Sequence, residues 1–395
     1  MNLRYIFFLL LALDTLLLIF VIPYLSISYH EAQIFFNDTS FMHHLITTST
    51  SIFGQNNFAL RFPTLVLHIL SIILLYAIAK AYIRYESDRL WLIGIYMLLP
   101  GINSVAILVD DAGLILFFVL LYIFLAQRYY TFSYILLPLL IVVNEGFMFL
   151  YMGVAFYAYE QQKHKLFVAS TGLFMLSLLV YGFDVSGAPR GQFLDTLGIY
   201  AVIFSPIVFL YLFYVLYRRA LIGPRDQLFY VATSAFLLSL LLSFRQKINV
   251  EIFAPYLMVA LPLLMQNFFH SYRIRLPQFR TKYRLLFGIA FTLLVLNALS
   301  VFFHKEIYYF LKTPKDHFAY RLHIVDSLAE KLQEQGITCI NANNQEMQLR
   351  LSFYGISHCD GYRLIPNREI KNSVNVTIFH RNLLLYQASV TKMHD

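Results

Sequence analysis

Two short acidic runs lie where apolar segments of the chain end or begin. The first reads Tyr29-His30-Glu31-Ala32, and the second reads Val109-Asp110-Asp111-Ala112. A carboxylate in such a place can act as a general base toward an acceptor hydroxyl or amine, or hold a divalent cation against a phosphate. Alternatively, these carboxylates only cap helices, because Asp and Glu favour helix N-termini. The two runs by themselves leave both interpretations open.

The composition places these runs in a membrane protein. Of the 395 residues, 59% are apolar and 13% are charged, whereas soluble domains carry about 25% charged residues. The 38 Phe and 29 Tyr residues suit a lipid-facing surface with aromatic anchors. This composition excludes a disordered chain, a collagen-like chain, a secreted disulfide scaffold and an ordinary cytosolic enzyme.

Charge density divides the chain near residue 304. Residues 1–303 hold 19 Lys or Arg and 13 Asp or Glu, whereas the much shorter segment 304–395 holds 11 and 9. We therefore predict a transmembrane body over residues 1–303 and a small extracytoplasmic domain over residues 304–395. The net charge of +8 does not indicate nucleic-acid binding, because most basic residues flank apolar segments and so set membrane topology.

Apolar segments of membrane length predict an α-helical polytopic membrane protein with about eleven transmembrane helices. These segments lie near residues 5–25, 62–79, 90–108, 112–127, 166–183, 197–217, 227–243, 253–270 and 285–303, with a hairpin of two short helices over 131–159. With that hairpin, 15 Lys and Arg residues fall on one side of the membrane, and Arg61, Arg190, Arg245 and Lys247 fall on the other. Because Lys and Arg favour the cytoplasm, we predict a cytoplasmic N-terminus and an outer C-terminal domain.

This topology collects most carboxylates of the body at the outer face. The outer loops receive Glu31, Asp38, Asp110, Asp111, Glu145, Asp184, Asp195 and Glu251, whereas Asp14 lies deeper, inside the first span. Ala32–Phe53 is too polar to span a bilayer and predicts interfacial helices in the first outer loop; a partly ordered loop is the alternative. Adjacent His43 and His44 would point to different faces of a helix, so they predict no transition-metal site.

One run before the second span resembles a known family. It reads Ile52-Phe53-Gly54-Gln55-Asn56-Asn57-Phe58-Ala59-Leu60-Arg61-Phe62-Pro63-Thr64. It is similar to a pattern of C-superfamily membrane glycosyltransferases, in the family 39-type branch of bacterial protein mannosyltransferase-like and aminoarabinose transferase-like enzymes. The acidic sites His30-Glu31-Ala32 and Asp110-Asp111, and a late run from Arg245 to Pro255, follow in the order that the family implies.

The resemblance implies a reaction in a bacterial inner membrane. A sugar would move from a polyprenyl-phosphate donor to an extracytoplasmic acceptor, which is lipid A, a protein or a glycan. The catalytic candidates are Glu31 as the base, with His30, Asp110 and Asp111. The candidates for binding the substrate and its phosphate are Arg61, Arg245, Lys247, Glu251, Asn57 and Glu145. Cations suit the phosphate because negative charge develops on it as it leaves.

Cofactor use and the role of Arg61 each have an alternative. We expect no required cofactor, and weak Mg²⁺ or Mn²⁺ binding at Glu31 and Asp111 is the alternative. For Arg61 the alternative to phosphate binding is that its side chain reaches toward the membrane interface for solvation.

The chain also departs from the family pattern. His30 stands where the family usually has Asp, the first loop lacks a Pro-Pro-Leu element, and Asn144-Glu145-Gly146 replaces a lysine-glycine pair. These departures leave a non-catalytic membrane assembly protein as an alternative function. A transporter or lipid flippase is a further alternative, but it would predict internal repeats and midplane charges on broken helices, which we do not find in the sequence.

The C-terminal segment predicts a small α/β domain. Helices are expected over Tyr320–Gln335, ended by Gly336, and over Gln345–Tyr354; strands are expected over Ile337–Ile340, Val374–Ile378 and Leu383–Val390. We interpret this domain as a cap over the outer cavity or as a surface where the acceptor docks. It contains both cysteines, Cys339 and Cys359, which form a disulfide in an oxidising compartment or stay as two buried thiols.

Overall fold

The structure of the protein is a computed structural model that describes residues 3–182, 191–366, 373–381 and 383–392. Asp184 and Arg190, which the predicted topology places in outer loops, lie outside these described residues. Where it is described, the chain is mainly helical, with a small sheet near its C-terminus. We describe its two compact units separately.

The helices follow one another along most of the chain. They are α1 (Leu3–Val21), α2 (Tyr29–Phe36), α3 (Phe41–Phe53), α4 (Asn57–Ala79), α5 (Glu86–Leu98), α6 (Pro100–Ile107), α7 (Asp111–Arg128), α8 (Tyr130–Val143), α9 (Met148–Glu160), α10 (His164–Tyr181), α11 (Phe193–Phe204), α12 (Pro206–Leu221), α13 (Gln227–Ser243), α14 (Val250–Met258), α15 (Leu261–Ile274), α16 (Arg280–Phe302), α17 (Val325–Glu334) and α18 (Gln345–Phe353). The strands are β1 (Tyr362–Pro366), β2 (Val374–His380) and β3 (Leu383–Lys392).

The chain is a multi-pass membrane protein by the length and composition of its helices. Within the described residues, 5 helices are long and apolar enough to cross a membrane, and the number rises to 8 if each of 3 bent helix pairs counts as one span. The helices α8 and α13 are apolar but shorter. The sequence predicted the multi-span class, and its estimate of about eleven spans remains a prediction.

Three segments that the sequence predicted as continuous spans are broken in the structure. The bends are 63° between α5 and α6, 108° between α11 and α12, and 40° between α14 and α15. At the sharpest bend, Ser205 has φ +65°, outside the helical region, and Pro206 follows it without a backbone N–H. Hydropathy over 197–217 does not register such a break, because both arms are apolar.

The segment over residues 131–159, predicted as a hairpin of two short helices, is divided into the short helices α8 and α9. The two helices are separated at Asn144–Phe147, where Asn144 caps the short turn by accepting a hydrogen bond from the Gly146 N–H at 2.8 Å. The Tyr151 hydroxyl donates to the Leu137 carbonyl at 2.9 Å. Fourteen residues of straight helix would separate these two residues by about 21 Å. The chain therefore bends between α8 and α9.

The first unit comprises Met1–Leu16, Thr64–Ala106 and Asp110–Val301. In it α9 packs on α10 and α13, and α14 packs on α7 and α13. Gly153 permits the close approach of α9 to α13, because a Cβ at this position would lie 2.7 Å from the Val231 Cα. Asp14 and His68 form a buried pair at 2.8 Å. A charge at such a depth is tolerated when it is paired.

The second unit comprises Leu17–Pro63, Ile107–Val109 and Phe302–Asp395. It therefore contains the C-terminal segment and also the whole first loop. The helices α2 and α3 occupy the part of this loop for which the sequence predicted helices. Two helices of the C-terminal segment, α17 and α18, bury apolar side chains against the sheet, around Leu328, Leu332 and Val376.

The sheet of the second unit is antiparallel, with strand order β1-β3-β2. The predictions for α18, β2 and β3 are confirmed. The helix predicted over Tyr320–Gln335 is α-helical only as α17, because Tyr320–His323 forms a separate 3-10 turn, and Gly336 follows the helix with φ +73°. The predicted strand Ile337–Ile340 is present only as an isolated bridge, whereas β1 was not predicted because Arg363 and Pro366 interrupt its apolar pattern. The order along the chain is helices and then strands, not the alternating βα order expected.

Cys339 and Cys359 form a disulfide in the second unit. Of the two alternatives that the sequence left open, the structure therefore has the bridge. It joins residues on either side of α18 and closes a loop with a sequence separation of 20. Closing a loop of this size reduces the freedom of the unfolded chain and stabilises the unit.

A cluster of stacked histidines lies at the base of the C-terminal segment. The rings of His304 and His323 are stacked at 4.8 Å, and His317 lies 5.3 Å from His323. Tyr308 stacks on His317 at 4.2 Å, and its hydroxyl is 2.8 Å from the His323 Nδ1. His380 lies 6.2 Å from Tyr308. The cluster is packed as aromatic core, which suits neutral imidazole rings.

Because the cluster needs neutral rings, we predict that acid destabilises the second unit. Burial, followed by the charges of His304, His317, Lys305 and His380, lowers the pKa of His323 to about 2. Unfolding would return it to its ordinary value near 6.5. The unfolded chain thus binds the extra proton below about pH 6.5, and the free energy of unfolding falls by about 1.4 kcal/mol for each pH unit below it.

The measurement is thermal unfolding of the purified chain between pH 7.5 and 5. His323→Phe keeps a ring in the stack and should flatten the pH dependence. His358→Gln changes an exposed histidine of the same unit and should behave as wild type. Equal pH dependence in wild type and His323→Phe would contradict this account.

Candidate functional site

Glu31 is positioned by the start of α2. Ser28 precedes the helix, its Oγ accepts from the Glu31 N–H at 3.1 Å, and its own N–H donates to Glu31 Oε2 at 2.7 Å. This reciprocal arrangement is a capping box. Glu31 therefore does cap a helix, as one of the two interpretations of the sequence expected. The cap also fixes the direction in which the carboxylate points.

The carboxylate of Glu31 points at Arg61, which comes from the second turn of α4. The Arg61 Nε donates to Oε1 at 3.0 Å, and its Nη2 donates to Oε2 at 2.9 Å. The side chains are 0% and 1% exposed. The remaining N–H groups of Arg61 donate to the backbone carbonyls of Ile22, Leu25 and Ser26. A guanidinium has five N–H donors, and each is used here.

The acceptor capacity of Glu31 is also filled. Besides the bonds from Arg61 and Ser28, Oε1 accepts from the Val109 N–H at 3.0 Å. Burial by itself would raise the pKa of Glu31, but the charge of Arg61 and the hydrogen bonds outweigh it and hold the pKa below its usual range. An ionised carboxylate with every lone pair engaged is suited to holding a structure together. It is poorly suited to taking a proton from a substrate.

Other residues that the sequence marked near Glu31 have different surroundings. His30 is exposed. Asn57 is buried: its Nδ2 donates to Asp326 Oδ2 at 3.0 Å, and its Oδ1 accepts from the Tyr354 hydroxyl at 2.6 Å. Asn57 therefore ties the first loop to the C-terminal segment within the second unit.

A second group of predicted residues lies in the first unit, and we call Asp110, Asp111, Glu145 and Glu251 the acidic end. Asp110 caps α7, where its Oδ1 accepts from the Ala112 N–H at 2.9 Å and from the Gly113 N–H at 3.4 Å. Asp111 is in the first turn of α7. Glu251 is in the first turn of α14, which Asn249 caps. All four carboxylates are at least partly exposed.

Close packing around Gly146 brings these helix ends together. A Cβ at Gly146 would lie 2.7 Å from the Ile115 Cδ1 in α7 and 3.0 Å from the Ile252 Cγ2 in α14. The Tyr256 hydroxyl donates to the Gly146 carbonyl at 2.7 Å. Glu145 precedes Gly146, and Ile252 follows Glu251. The sequence could not place Glu145 beside α14, because 106 positions separate Glu145 from Glu251.

Asp110 has the electrostatic surroundings of an acid–base group. Desolvation raises its pKa to about 8, and the charges of Glu251 and Asp111 add to this effect; the two capping N–H groups oppose it. The side chain keeps an exposed edge although protein atoms crowd it. Its Oδ2 takes part in neither capping bond. A carboxylate with a pKa near the working pH and a free edge can accept a proton from a bound acceptor.

Two predicted cations lie beside the acidic end along the chain. Arg245 and Lys247 are exposed in the loop between α13 and α14. This loop leads through Asn249 into the first turn of α14, where Glu251 lies. Long cationic side chains at this position can reach an oxyanion that approaches the loop. Arg61 differs from both, because it is enclosed by Glu31 and backbone carbonyls.

The described part of the chain offers no cluster of three His, Cys, Asp or Glu side chains arranged to hold a metal ion. A divalent cation at Glu31 would compete with Arg61 for the same two oxygens. The residues at Glu31 thus do not fit a cation, and we derive no step through Mg²⁺ or Mn²⁺.

Several residues that complete these networks were not marked from the sequence. Asp326 and Tyr354 bind Asn57, and the Arg350 Nε donates to the Ile27 carbonyl at 2.7 Å. They lie about 300 positions from their partners, so no local pattern signals them. His68 could have been found, because it lies in the second span at a depth that matches Asp14 in the first.

The fold of the whole chain is similar to that of ArnT from Cupriavidus metallidurans. The crystal structure of ArnT in the apo state has a TM-score of 0.55 and 10% sequence identity, and the match covers 97% of this chain and 97% of that one. The crystal structure of ArnT bound to undecaprenyl phosphate has a TM-score of 0.58 and 11% identity, over 99% and 98% of the two chains. No protein-family model and no curated protein matches the sequence.

The class of protein that these observations define is a multi-pass helical membrane protein with a small C-terminal sheet. Its fold is similar to that of ArnT, so the fold that the resemblance implied is confirmed. The activity does not follow from the fold alone.

We predict that the buried pair of Glu31 and Arg61 stabilises the folded protein. Glu31→Gln leaves the guanidinium of Arg61 buried without its counter-charge, and breaking a buried pair in this way costs about 3–5 kcal/mol. We expect a large fall in the thermal unfolding midpoint of the purified protein. The neighbouring change His30→Gln affects an exposed side chain and should shift the midpoint little. Equal midpoints for Glu31→Gln and wild type would show that the Glu31–Arg61 pair does not contribute to stability in this way.

Proposed function

We propose that this protein is an integral membrane glycosyltransferase that moves a sugar from a polyprenyl-phosphate donor to an extracytoplasmic acceptor. The observation that carries the proposal is Asp110, a carboxyl with a raised pKa at the acidic end of a chain with the ArnT fold. ArnT has been crystallised with undecaprenyl phosphate, a lipid phosphate of the class that such a donor would release.

In the proposed step Asp110 is the general base. An acceptor hydroxyl or amine attacks the anomeric carbon of the donor sugar, and its proton passes to the carboxylate of Asp110. The bond between the anomeric carbon and the phosphate oxygen breaks, and its electron pair stays on that oxygen. Polyprenyl phosphate leaves as an anion, and a single displacement inverts the configuration of the sugar. The leaving phosphate needs no proton, so one base is sufficient.

The remaining predicted residues take supporting roles in this proposal. Arg245 and Lys247 stabilise the negative charge that grows on the phosphate. Glu251 keeps the pKa of Asp110 high through its charge. The sequence assigned the base to Glu31, but the filled lone pairs of Glu31 favour a positioning role: it holds Arg61 and the N–H of Val109.

Membrane orientation follows from the charge bias of the sequence. We place the N-terminus in the cytoplasm, and the acidic end and the C-terminal segment at the periplasmic face of a bacterial inner membrane. The acceptor class stays lipid A, a protein or a glycan under assembly. A donor carried on a lipid is suited to a multi-pass membrane protein, because it can reach the protein from within the bilayer.

Asp110→Asn tests the proposed base. Asparagine caps helices as well as aspartate does, so folding should be retained while the base is lost. We expect sugar transfer to fall by about 10²–10⁴-fold. The assay follows consumption of lipid-linked sugars and release of polyprenyl phosphate by mass spectrometry, in nanodiscs with acceptor membranes. Asp195→Asn, an exposed carboxylate of the same unit, should keep the wild-type rate.

The pH profile gives an independent readout. Because the base must be ionised, the wild-type rate should rise about ten-fold per pH unit below pH 8 and level off above it, given the Asp110 pKa of about 8. If Asp110→Asn transfers sugar at the wild-type rate, another group is the base. If folded wild type consumes no donor, the non-catalytic assembly protein becomes the better interpretation.

A further inference from the structure

The second unit contains a small pocket that the proposed reaction does not use. It lies among the starts of α17 and α18, the turn at Tyr320–His323 and strand β3, and its volume is about 350 Å³. This volume is at the lower end of the range for small-ligand sites. The described residues that line it are Lys315, Tyr320, Arg321, Ile324, Val325, Asn344, Glu346, Met347, Arg350 and Tyr386, which we call the basic pocket.

The basic pocket carries excess positive charge. Lys315, Arg321 and Arg350 are cations, whereas Glu346 is the one acidic side chain among the described lining residues. Glu346 is already engaged, because Arg321 Nη1 donates to its oxygens at 3.3 and 3.4 Å and Arg350 Nη1 lies 3.8 Å away. One carboxylate cannot balance three cations, so an anion entering the pocket meets an attractive field.

Arg350 makes this field rigid. It is 3% exposed, its Nε donates to the Ile27 carbonyl at 2.7 Å, and its Nη2 donates to the Arg321 carbonyl. These bonds hold the guanidinium at the wall, whereas Arg321 is 77% exposed and bonds only to the carboxylate of Glu346 among the contacts described for its side chain. A fixed cation beside an exposed one is a suitable arrangement for an oxyanion.

The other walls suit more than a bare anion. The rings of Tyr320 and Tyr386 and the side chain of Met347 give apolar surface, and the Asn344 amide offers a polar group. The Tyr320 hydroxyl donates to the Leu385 carbonyl at 3.1 Å, so its ring is held in place. Apolar walls with a few placed polar groups fit the faces and hydroxyls of a sugar ring.

We propose that the basic pocket binds an anionic saccharide, a sugar unit that carries a carboxylate or a phosphate. Its oxyanion lies between Arg321 and Arg350, and its ring packs against Tyr320 and Tyr386. That the bound saccharide is part of the acceptor rests on the proposed transferase function. The binding itself does not, because no residue of the acidic end lines this pocket.

The test measures equilibrium binding by calorimetry, with the purified full chain in nanodiscs that contain no donor lipid. The probes are glucuronate, glucose 6-phosphate, glucose and inorganic phosphate. We expect at least one charged sugar to bind about ten-fold more tightly than glucose, because a hydrogen bond to a charged group typically supplies this difference. It should also bind more tightly than inorganic phosphate, because its ring adds contacts with Tyr320 and Tyr386. The relative affinities of glucuronate and glucose 6-phosphate then identify the anion.

Variants locate the binding. Arg321→Gln removes an exposed cation and should weaken the charged sugar about ten-fold, whereas Glu346→Gln removes the competing carboxylate and should tighten it. Lys312→Gln changes an exposed lysine that does not line the pocket, and should bind as wild type.

Three results would overturn the proposal: glucose binding as tightly as the charged sugars, inorganic phosphate binding as tightly as they do, or unchanged affinity in Arg321→Gln. Failure here is separable from failure of the transferase. A chain that transfers sugar but gives any of these results lacks the saccharide pocket. A chain that binds charged sugars but consumes no donor keeps the pocket and is no transferase.

Discussion

The buried guanidinium of Arg61 is the constraint on which the second unit depends. A charge removed from water is tolerated only when it is paired and fully hydrogen-bonded. Meeting that condition recruits Glu31 and the carbonyls of Ile22, Leu25 and Ser26, so the segment between the first span and α2 must run past the side chain. The N–H of Val109 then fills the remaining acceptor position of the Glu31 carboxylate. One side chain thereby sets the path of three separate pieces of chain.

Two carboxylates that look equivalent in sequence have opposite environments. Glu31 is buried against a cation, so its pKa is lowered and its oxygens are filled. Asp110 is desolvated and lies near the charge of Glu251, and the hydrogen bonds described for it come from backbone N–H groups and not from a cation. Its pKa is therefore raised to about 8. When the environments of two carboxyl groups shift their pKa values in opposite directions, one group can serve the structure while the other serves as an acid or base. This separation is the reason for assigning the proposed base to Asp110.

A fold shared with ArnT at 10–11% identity shows how little sequence the architecture requires. Spans need apolar length, and close helix contacts need a few small residues such as Gly153. Chemistry is more demanding, because it depends on single polar side chains. Function therefore has to be argued from the acidic end and the basic pocket, and the fold only limits the choices.

Local pattern by itself determined the membrane class, most helices, the break at Asn144 and the strands β2 and β3. These features depend on neighbours a few positions apart, where periodicity and turn residues act. The structure decided what depends on distant partners: the closure of Glu31 by Arg61 across 30 positions, the disulfide, and the antiparallel order of the sheet. It also decided that Asp110 is the desolvated carboxylate, since desolvation is a property of everything packed around a group and no spacing along the chain encodes it.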